Sequence, residues 1–311
     1  MLPVLFLMGP TASGKTNLAI QLVKELNCEI ISVDSAMIYK GMDIGTAKPT
    51  QSELDIAPHH LIDIIQPTQD WSVSDFCRLT TSLISEIHQR QKIPLLTGGT
   101  MMYFKTFLDG LSESLPAASE TLRFKLMTEL REQGIEHLAQ QLIALDPASQ
   151  NRIDLKNPQR VIRALEVFQT SGRSITAYWD EQKEVSHPWP IIQFGLSTDD
   201  RNDLHQRIAQ RFDIMLESGF EQEVESIIKL PGIHPDMTSM RSVGYRQMWQ
   251  YLAGELSFDD MREKGIAATR QLAKRQLTWL RKWEHLNRVN YSDRQLFDLI
   301  TNKIKLSISG C

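Results

Sequence analysis

Four short runs of apolar residues stand out along the chain: residues 2–8, "EIISVDS" (29–35), "IPLLTGG" (93–99) and "IIQFGLS" (191–197). Continuous apolar runs of this length, closed by glycine or polar residues, predict strands buried on both faces. Between the first two, "TNLAIQLVKEL" repeats leucine at 18, 22 and 26, the spacing of one helical face. "SDFCRLTTSLISEIHQRQ" (74–91) predicts a second helix before the third strand. Strands alternating with helices predict an α/β fold with a parallel, doubly wound sheet.

From about residue 113 to 190 the pattern changes to helices alone. "SETLRFKLMTELREQG" and "IEHLAQQLIALDP" are amphipathic, with Gly134 placed to cap the first. "NPQRVIRALEVFQTSG" carries every stop and start signal of a third helix. Asn157 is the N-cap, Pro158 the first helical position and Gly172 the residue past its end. The expected organisation is therefore an α/β core from 1–112 and 191–311, interrupted by a helical insertion at 113–190. The part after 199 reads as further helices: "DLHQRIAQRFDIMLESG", "EQEVESIIKL", "GYRQMWQYLAG" and "GIAATRQLAKRQLTWLRKW".

Composition narrows the class. The chain has 311 residues, 41% hydrophobic and 23% charged, the balance of a soluble globule. Its formal net charge is −4, so any nucleic-acid contact must come from a local patch. Cys28, Cys77 and Cys311 form no CxxC pair and are expected to be reduced, buried or incidental thiols in a cytoplasmic protein. The apolar N-terminus lacks a basic leader and a cleavage site, and no apolar run nears the ~20 residues of a membrane span. The histidines, including His59-His60, lack metal-ligand spacing and are expected at the surface or in hydrogen bonds. The six tryptophans are expected in the core.

The first apolar run ends in "GPTASGKT". Gly9, Pro10, Thr11, Ala12, Ser13, Gly14, Lys15 and Thr16 match G-x-x-x-x-G-K-[ST] in full, between a strand and a helix. Glycines let backbone N–H groups turn toward an anion, and the helix N-terminus adds its positive end. Lys15 adds a fixed charge, and the Thr16 hydroxyl suits Mg²⁺. This predicts a P-loop NTPase-like core. An ATP-hydrolysing site also needs an acid ending a neighbouring strand. The best candidate strand ends instead in Thr97-Gly98-Gly99-Thr100, so the phosphate held need not be the γ-phosphate of ATP; strand order stays open here. The second strand ends in Asp34, at the carboxyl edge where ligands bind. Asp34 is either a base or metal ligand, or a loop or cap acid. Thr100 is either a substrate contact or an N-cap for "MMYFKTFL".

Charge adds a second feature. From Arg262 to Arg288 eight basic residues face two acidic ones. Arg270, Lys274 and Arg281 share one helical side, and Leu272, Leu280 and Trp283 line another. Such a face is either merely solvated or an RNA-binding surface. "RSVGYR" (241–246) and "QRVIR" (159–163) add arginines in two further segments, which suits a folded RNA with phosphates in several directions.

Together "FLMGPTASGKT", "ISVDSAMIYKGMDIGTAKP", "PLLTGGTMMYFKTFLDGLS", "NPQRVIRALEVF", "SVGYRQMW" and "ATRQLAKRQLTWLR" resemble the tRNA dimethylallyltransferases, in order and over nearly the whole chain. The resemblance implies transfer of a dimethylallyl group from dimethylallyl diphosphate to N6 of adenosine 37, in tRNAs that read codons starting with U. It implies Asp34 as base, Thr100 and Lys15 at the reacting centre, the 9–16 loop on the diphosphate and Mg²⁺ on Thr16. It implies tRNA contacts by Asp34, Ser35, Ala36, Met37, Thr100, Arg123, Gln159, Arg160, Val161, Ile162 and Arg163. Further contacts are Arg241, Ser242, Val243, Gly244, Tyr245, Arg246, Arg270, Lys274, Arg275 and Arg281. The target adenine would flip out of its stack, and the insertion would grip the anticodon stem-loop as a mobile clamp. A monomer is expected. Two rivals remain: a small-molecule kinase, which leaves the basic face unexplained, and a non-catalytic RNA-binding switch, which gives Asp34 no task.

Overall fold

The computed structural model describes residues 2–110, 115–116, 120–181 and 186–309. The expected boundary at 113 and Cys311 lie outside them. The chain divides into two units, Met1–Leu108 with His187–Cys311, and Asp109–Ser186. The second unit thus begins and ends four residues before the expected 113–190.

The first unit is built on six parallel strands: β1 (Val4–Met8), β2 (Cys28–Val33), β3 (His59–His60), β4 (Ile93–Gly98), β5 (Ile191–Ser197) and β6 (Asn287–Asn290). Their order is β3-β2-β4-β1-β5-β6. β1 registers with both β4 and β5, Leu5 opposite Leu95 and Ile192. All five β1 residues are buried, as a strand covered on both faces requires. Helices α1 (Lys15–Leu26), α2 (Gln51–Ile56), α3 (Val73–Gln89) and α4 (Met101–Asp109) follow the early strands. The second unit holds α5 (Glu120–Leu145), α6 (Ser149–Arg152), α7 (Pro158–Ser171) and α8 (Ile175–Glu181). The first unit resumes with α9 (Arg201–Glu217), α10 (Phe220–Ile228), α11 (Tyr245–Leu252), α12 (Phe258–Lys282) and α13 (Leu296–Ser309). This is the α/β architecture that the alternating runs predict.

The described residues form distinct apolar cores. One joins the sheet to α1 and to Ile300 and Ile304 of α13. A second packs α9–α12 around Ile38, Tyr39 and Met42. The third lies inside the second unit, around Leu126, Leu138 and Leu165. There Gly134, at φ 82°, interrupts α5 where its left-handed conformation was expected to end a helix. Asn157 caps α7 by accepting from the Gln159 and Arg160 N–H groups, and Gly172 ends it at φ 71°. The fully buried Glu166 of α7 is paired with Arg123 (2.8 Å) and lies 3.6 Å from Arg163.

α12 starts seven residues before the sequence pattern predicts. Gly265 reads as a helix start, yet it sits inside the helix, where a Cβ would come within 2.2 Å of the Phe212 ring. Ser257 caps the true start by accepting from the Asp260 N–H.

Candidate active site

The loop between β1 and α1 has the backbone that anion binding needs. Ala12 (φ 63°) and Gly14 (φ 80°) are both left-handed, which turns successive N–H groups inward. Gly9 lies so close to β5 that a Cβ would meet the Leu196 Cβ at 2.9 Å. The Lys15 Nζ donates to the Pro10 carbonyl at 2.6 Å, and the Ser13 hydroxyl donates to the same carbonyl at 2.8 Å. Burial, helped by the nearby Arg211 guanidinium, brings the Lys15 pKa down to about 7, while Asp34 works the other way. Burial likewise lowers the pKa of Arg211.

Gln276 of α12 ties the loop to its neighbour. Its Oε1 accepts from the Thr11 N–H and its Nε2 donates to the Gly99 carbonyl, both at 2.9 Å. Gly99 must be glycine for this, since a Cβ would sit 2.2 Å from the Gln276 Nε2.

Asp34 follows β2. Its Oδ1 accepts from the Ala36 N–H (2.8 Å) and the Met37 N–H (3.2 Å), while Oδ2 has no hydrogen-bond partner among the described residues. Thr100 reaches across from the end of β4: its Oγ1 accepts from the Ser35 N–H at 3.2 Å. That hydroxyl therefore links two strand ends; it makes no capping bond to α4 among the described residues. β4, directly beside β1, ends without a carboxylate; on the other side β5 is followed by the exposed Asp199 and by Asp200, which caps α9.

These groups share one cavity of about 630 Å³, wholly within the first unit. Lys15, Thr16, Asp34, Thr100, Arg211 and Arg241 line its polar part; Met101, Met102, Met215, Leu272 and Trp279 line its apolar part. Trp279 corrects the expectation that all six tryptophans belong to the core: it is 42% exposed at this cavity, and only Trp283 is fully buried. A divalent ion would find the Thr16 hydroxyl as a hard oxygen donor here, which suits an ion keeping most of its waters. No group of three His, Cys, Asp or Glu able to hold a metal occurs among the described residues. His59 and His60 hydrogen-bond to the Ala57 carbonyl and to Glu29, and Cys28 and Cys77 are free and buried.

The residues expected on RNA differ in exposure. Ser35, Gln159, Arg160, Arg241, Arg246, Arg270, Lys274, Arg275 and Arg281 are exposed. Asp34, Ala36, Met37, Thr100, Arg163, Ser242 and Val243 are half-buried, and the Arg163 Nη2 donates to the Pro116 carbonyl. Val161, Ile162, Gly244 and Tyr245 are buried: Val161 and Ile162 belong to the core of the second unit, and Gly244 and Tyr245 line the cavity. Arg123 is half-exposed but engaged with Glu166. Within the basic segment, Arg262 forms a two-pronged pair with Asp213, and Arg288 donates to the carbonyls of Leu280, Arg281 and Trp283 at the end of α12. Arg211, Gln276 and Trp279 were missed as site residues: Gln276 and Trp279 lie within "ATRQLAKRQLTWLR" but were given no role, and Arg211, on α9, lies in no quoted motif.

The family model for IPP transferases matches residues 37–283. The chain belongs to the IPP transferase family. It is similar to the full-length tRNA isopentenylpyrophosphate transferase of Bacillus halodurans, at 34% identity over 99% of each chain with a TM-score of 0.72. The tRNA delta(2)-isopentenylpyrophosphate transferase of Staphylococcus epidermidis is 33% identical over 98% of this chain and 99% of that one, with a TM-score of 0.70. A eukaryotic dimethylallyltransferase acting on tRNA is 25% identical over all of this chain and 79% of that one, with a TM-score of 0.83. Membership makes the chain a prenyl-group transferase and leaves the kinase and switch readings without support. The family match begins at residue 37, beyond the phosphate loop, so it does not rest on that motif.

Proposed function

We propose that this enzyme moves the dimethylallyl group of dimethylallyl diphosphate to N6 of adenosine 37, in cytoplasmic tRNAs that read codons starting with U. Prenyl transfer to tRNA follows from the family; the donor, the nucleoside and the codon class are the proposal. The observation that carries it is the pairing, in one cavity, of a cationic phosphate loop with an aspartate that keeps one carboxylate oxygen unused.

In the reaction the bond between the allylic C1 and the diphosphate oxygen breaks while C1 bonds to N6. Backbone N–H groups of 12–16, with Lys15 and Arg211, neutralise charge on the departing diphosphate. The N6 lone pair is delocalised into the purine, so N6 becomes a competent nucleophile only as its proton leaves; the Asp34 Oδ2 takes that proton. Thr100, bonded to the Ser35 N–H, holds the rim where the amine enters. A magnesium ion held by Thr16, with Asp34 close by, would supply further positive charge to the diphosphate. The apolar side of the cavity suits the isoprenoid and the extruded adenine. Arg241, Arg270, Lys274, Arg275 and Arg281 offer exposed positive charge to the RNA backbone, and the insertion, with Arg160, grips the anticodon stem-loop. The enzyme acts as a monomer.

The test is incubation of wild-type enzyme with dimethylallyl diphosphate, magnesium and tRNA, followed by mass mapping of the RNA. A gain of one dimethylallyl group on adenosine 37, lost when that base is replaced by guanosine, supports the proposal. Modification elsewhere, or none, overturns it.

A further inference from the structure

The loop following Tyr39 carries a second anion nest, and the protein fills it itself. The consecutive N–H groups of Asp43, Ile44 and Gly45 donate to the Glu223 carboxylate of α10, at 2.8, 2.6 and 3.0 Å. The Tyr245 hydroxyl donates to the same carboxylate at 2.6 Å. Three successive N–H groups converging on one anion hold backbone dihedrals as well as position. Four donors thus satisfy this half-buried carboxylate.

The seat is tight on its other side. A Cβ on Gly45 would lie 2.2 Å from the Phe220 ring and 2.6 Å from the Tyr245 ring. Those two rings pack edge to face, with centroids 5.1 Å apart. At the far end of the loop the buried Lys48 ammonium donates to the Tyr39 carbonyl and to Asp63. What this rigid loop presents to the cavity is Gly45 and Thr46, and the Thr46 carbonyl accepts from the Arg211 Nη2 at 3.4 Å. No other hydrogen bond of Arg211 occurs among the described residues.

We propose that Glu223 is a positioning residue: by holding the backbone of 43–46 it aims the Arg211 guanidinium at the diphosphate. This rests on the reading that the cavity binds a diphosphate donor. Glu223 itself touches neither substrate; its effect runs through the loop and Arg211.

The test uses Glu223→Gln in the full-length enzyme. Glutamine keeps the size and one acceptor oxygen but sets an NH2 group against the N–H donors. The expected result is about a tenfold loss in kcat/KM for dimethylallyl diphosphate, with RNA affinity unchanged. A double-mutant cycle with Arg211→Ala separates this from general damage. If Glu223 acts through Arg211, the loss disappears in the Arg211→Ala background. An equal loss in both backgrounds, or a lowered Tm with unchanged kcat/KM, overturns the inference. Failure of the wild-type enzyme to use the donor at all would instead strike the proposed function.

Discussion

Burial moves the titration of Lys15 toward neutral pH. Its pKa is brought down from 10.5 to about 7, so between those values the unfolded chain binds a proton that the folded one does not. The burial cost of charged Lys15 is fully present below pH 7 and is relieved as pH rises above it. Diphosphate binding adds negative charge beside the ammonium and raises its pKa again. Inorganic pyrophosphate binding above pH 7 should therefore take up a proton, read by calorimetry in buffers of differing ionisation enthalpy. Lys15→Arg, whose guanidinium stays charged, should lack that uptake. Equal uptake by both would assign the proton elsewhere. Gln276→Ala should cost ~2 kcal/mol in urea unfolding, because it leaves the Thr11 N–H and the Gly99 carbonyl without their partner. At this scale the sequence shows Lys15, Thr16 and Asp34, because their chemistry is contiguous with the loop or strand that presents them. It cannot show Arg211, Gln276 or Glu223, whose partners lie 165 to 265 positions away along the chain.

Among the elements, the long apolar strands and the capped α7 were legible because each declares itself within a dozen residues. β6, "NRVN", and β3, two histidines, were not: both are short, polar edge strands ordered by their neighbour in the sheet. Glu29 shows what secures one such edge. Its carboxylate meets Arg90 just past α3, His60 of β3 and Lys92, and Arg90 is the main reason its pKa falls to about 2. A depressed carboxylate pKa gives stability that is present above the unfolded value of 4.5 and lost as pH drops from there toward 2. Glu29→Gln should therefore lower the urea midpoint at pH 7 and have little effect near pH 2; a deficit that persists at both would point to packing. Gly265→Ala should destabilise by ~2 kcal/mol, since its methyl meets the Phe212 ring, although alanine is the better helix former.

For the whole molecule, an acidic chain must meet RNA through a local surface. In the proposed function exposed Arg270, Lys274, Arg275 and Arg281 on α12 would supply it, whereas Arg262 and Arg288 are held by protein partners and should contribute little. Lys274→Ala should weaken tRNA binding and reduce the slope of log affinity against log salt by about 1. An unchanged slope would remove that residue from the interface. The sequence could count these bases but not sort them, since pairing with Asp213 or with helix-end carbonyls depends on the fold. The central claim joins both halves of the cavity, the cationic loop that receives diphosphate and the aspartate that deprotonates the amine. Single-turnover transfer to prebound tRNA by Asp34→Asn tests it most directly, because asparagine keeps the Oδ1 acceptor for Ala36 and Met37 and loses only the base. The account predicts a chemical step slower by ~100-fold or more with tRNA affinity within a few-fold of wild type; transfer at the wild-type rate would contradict it.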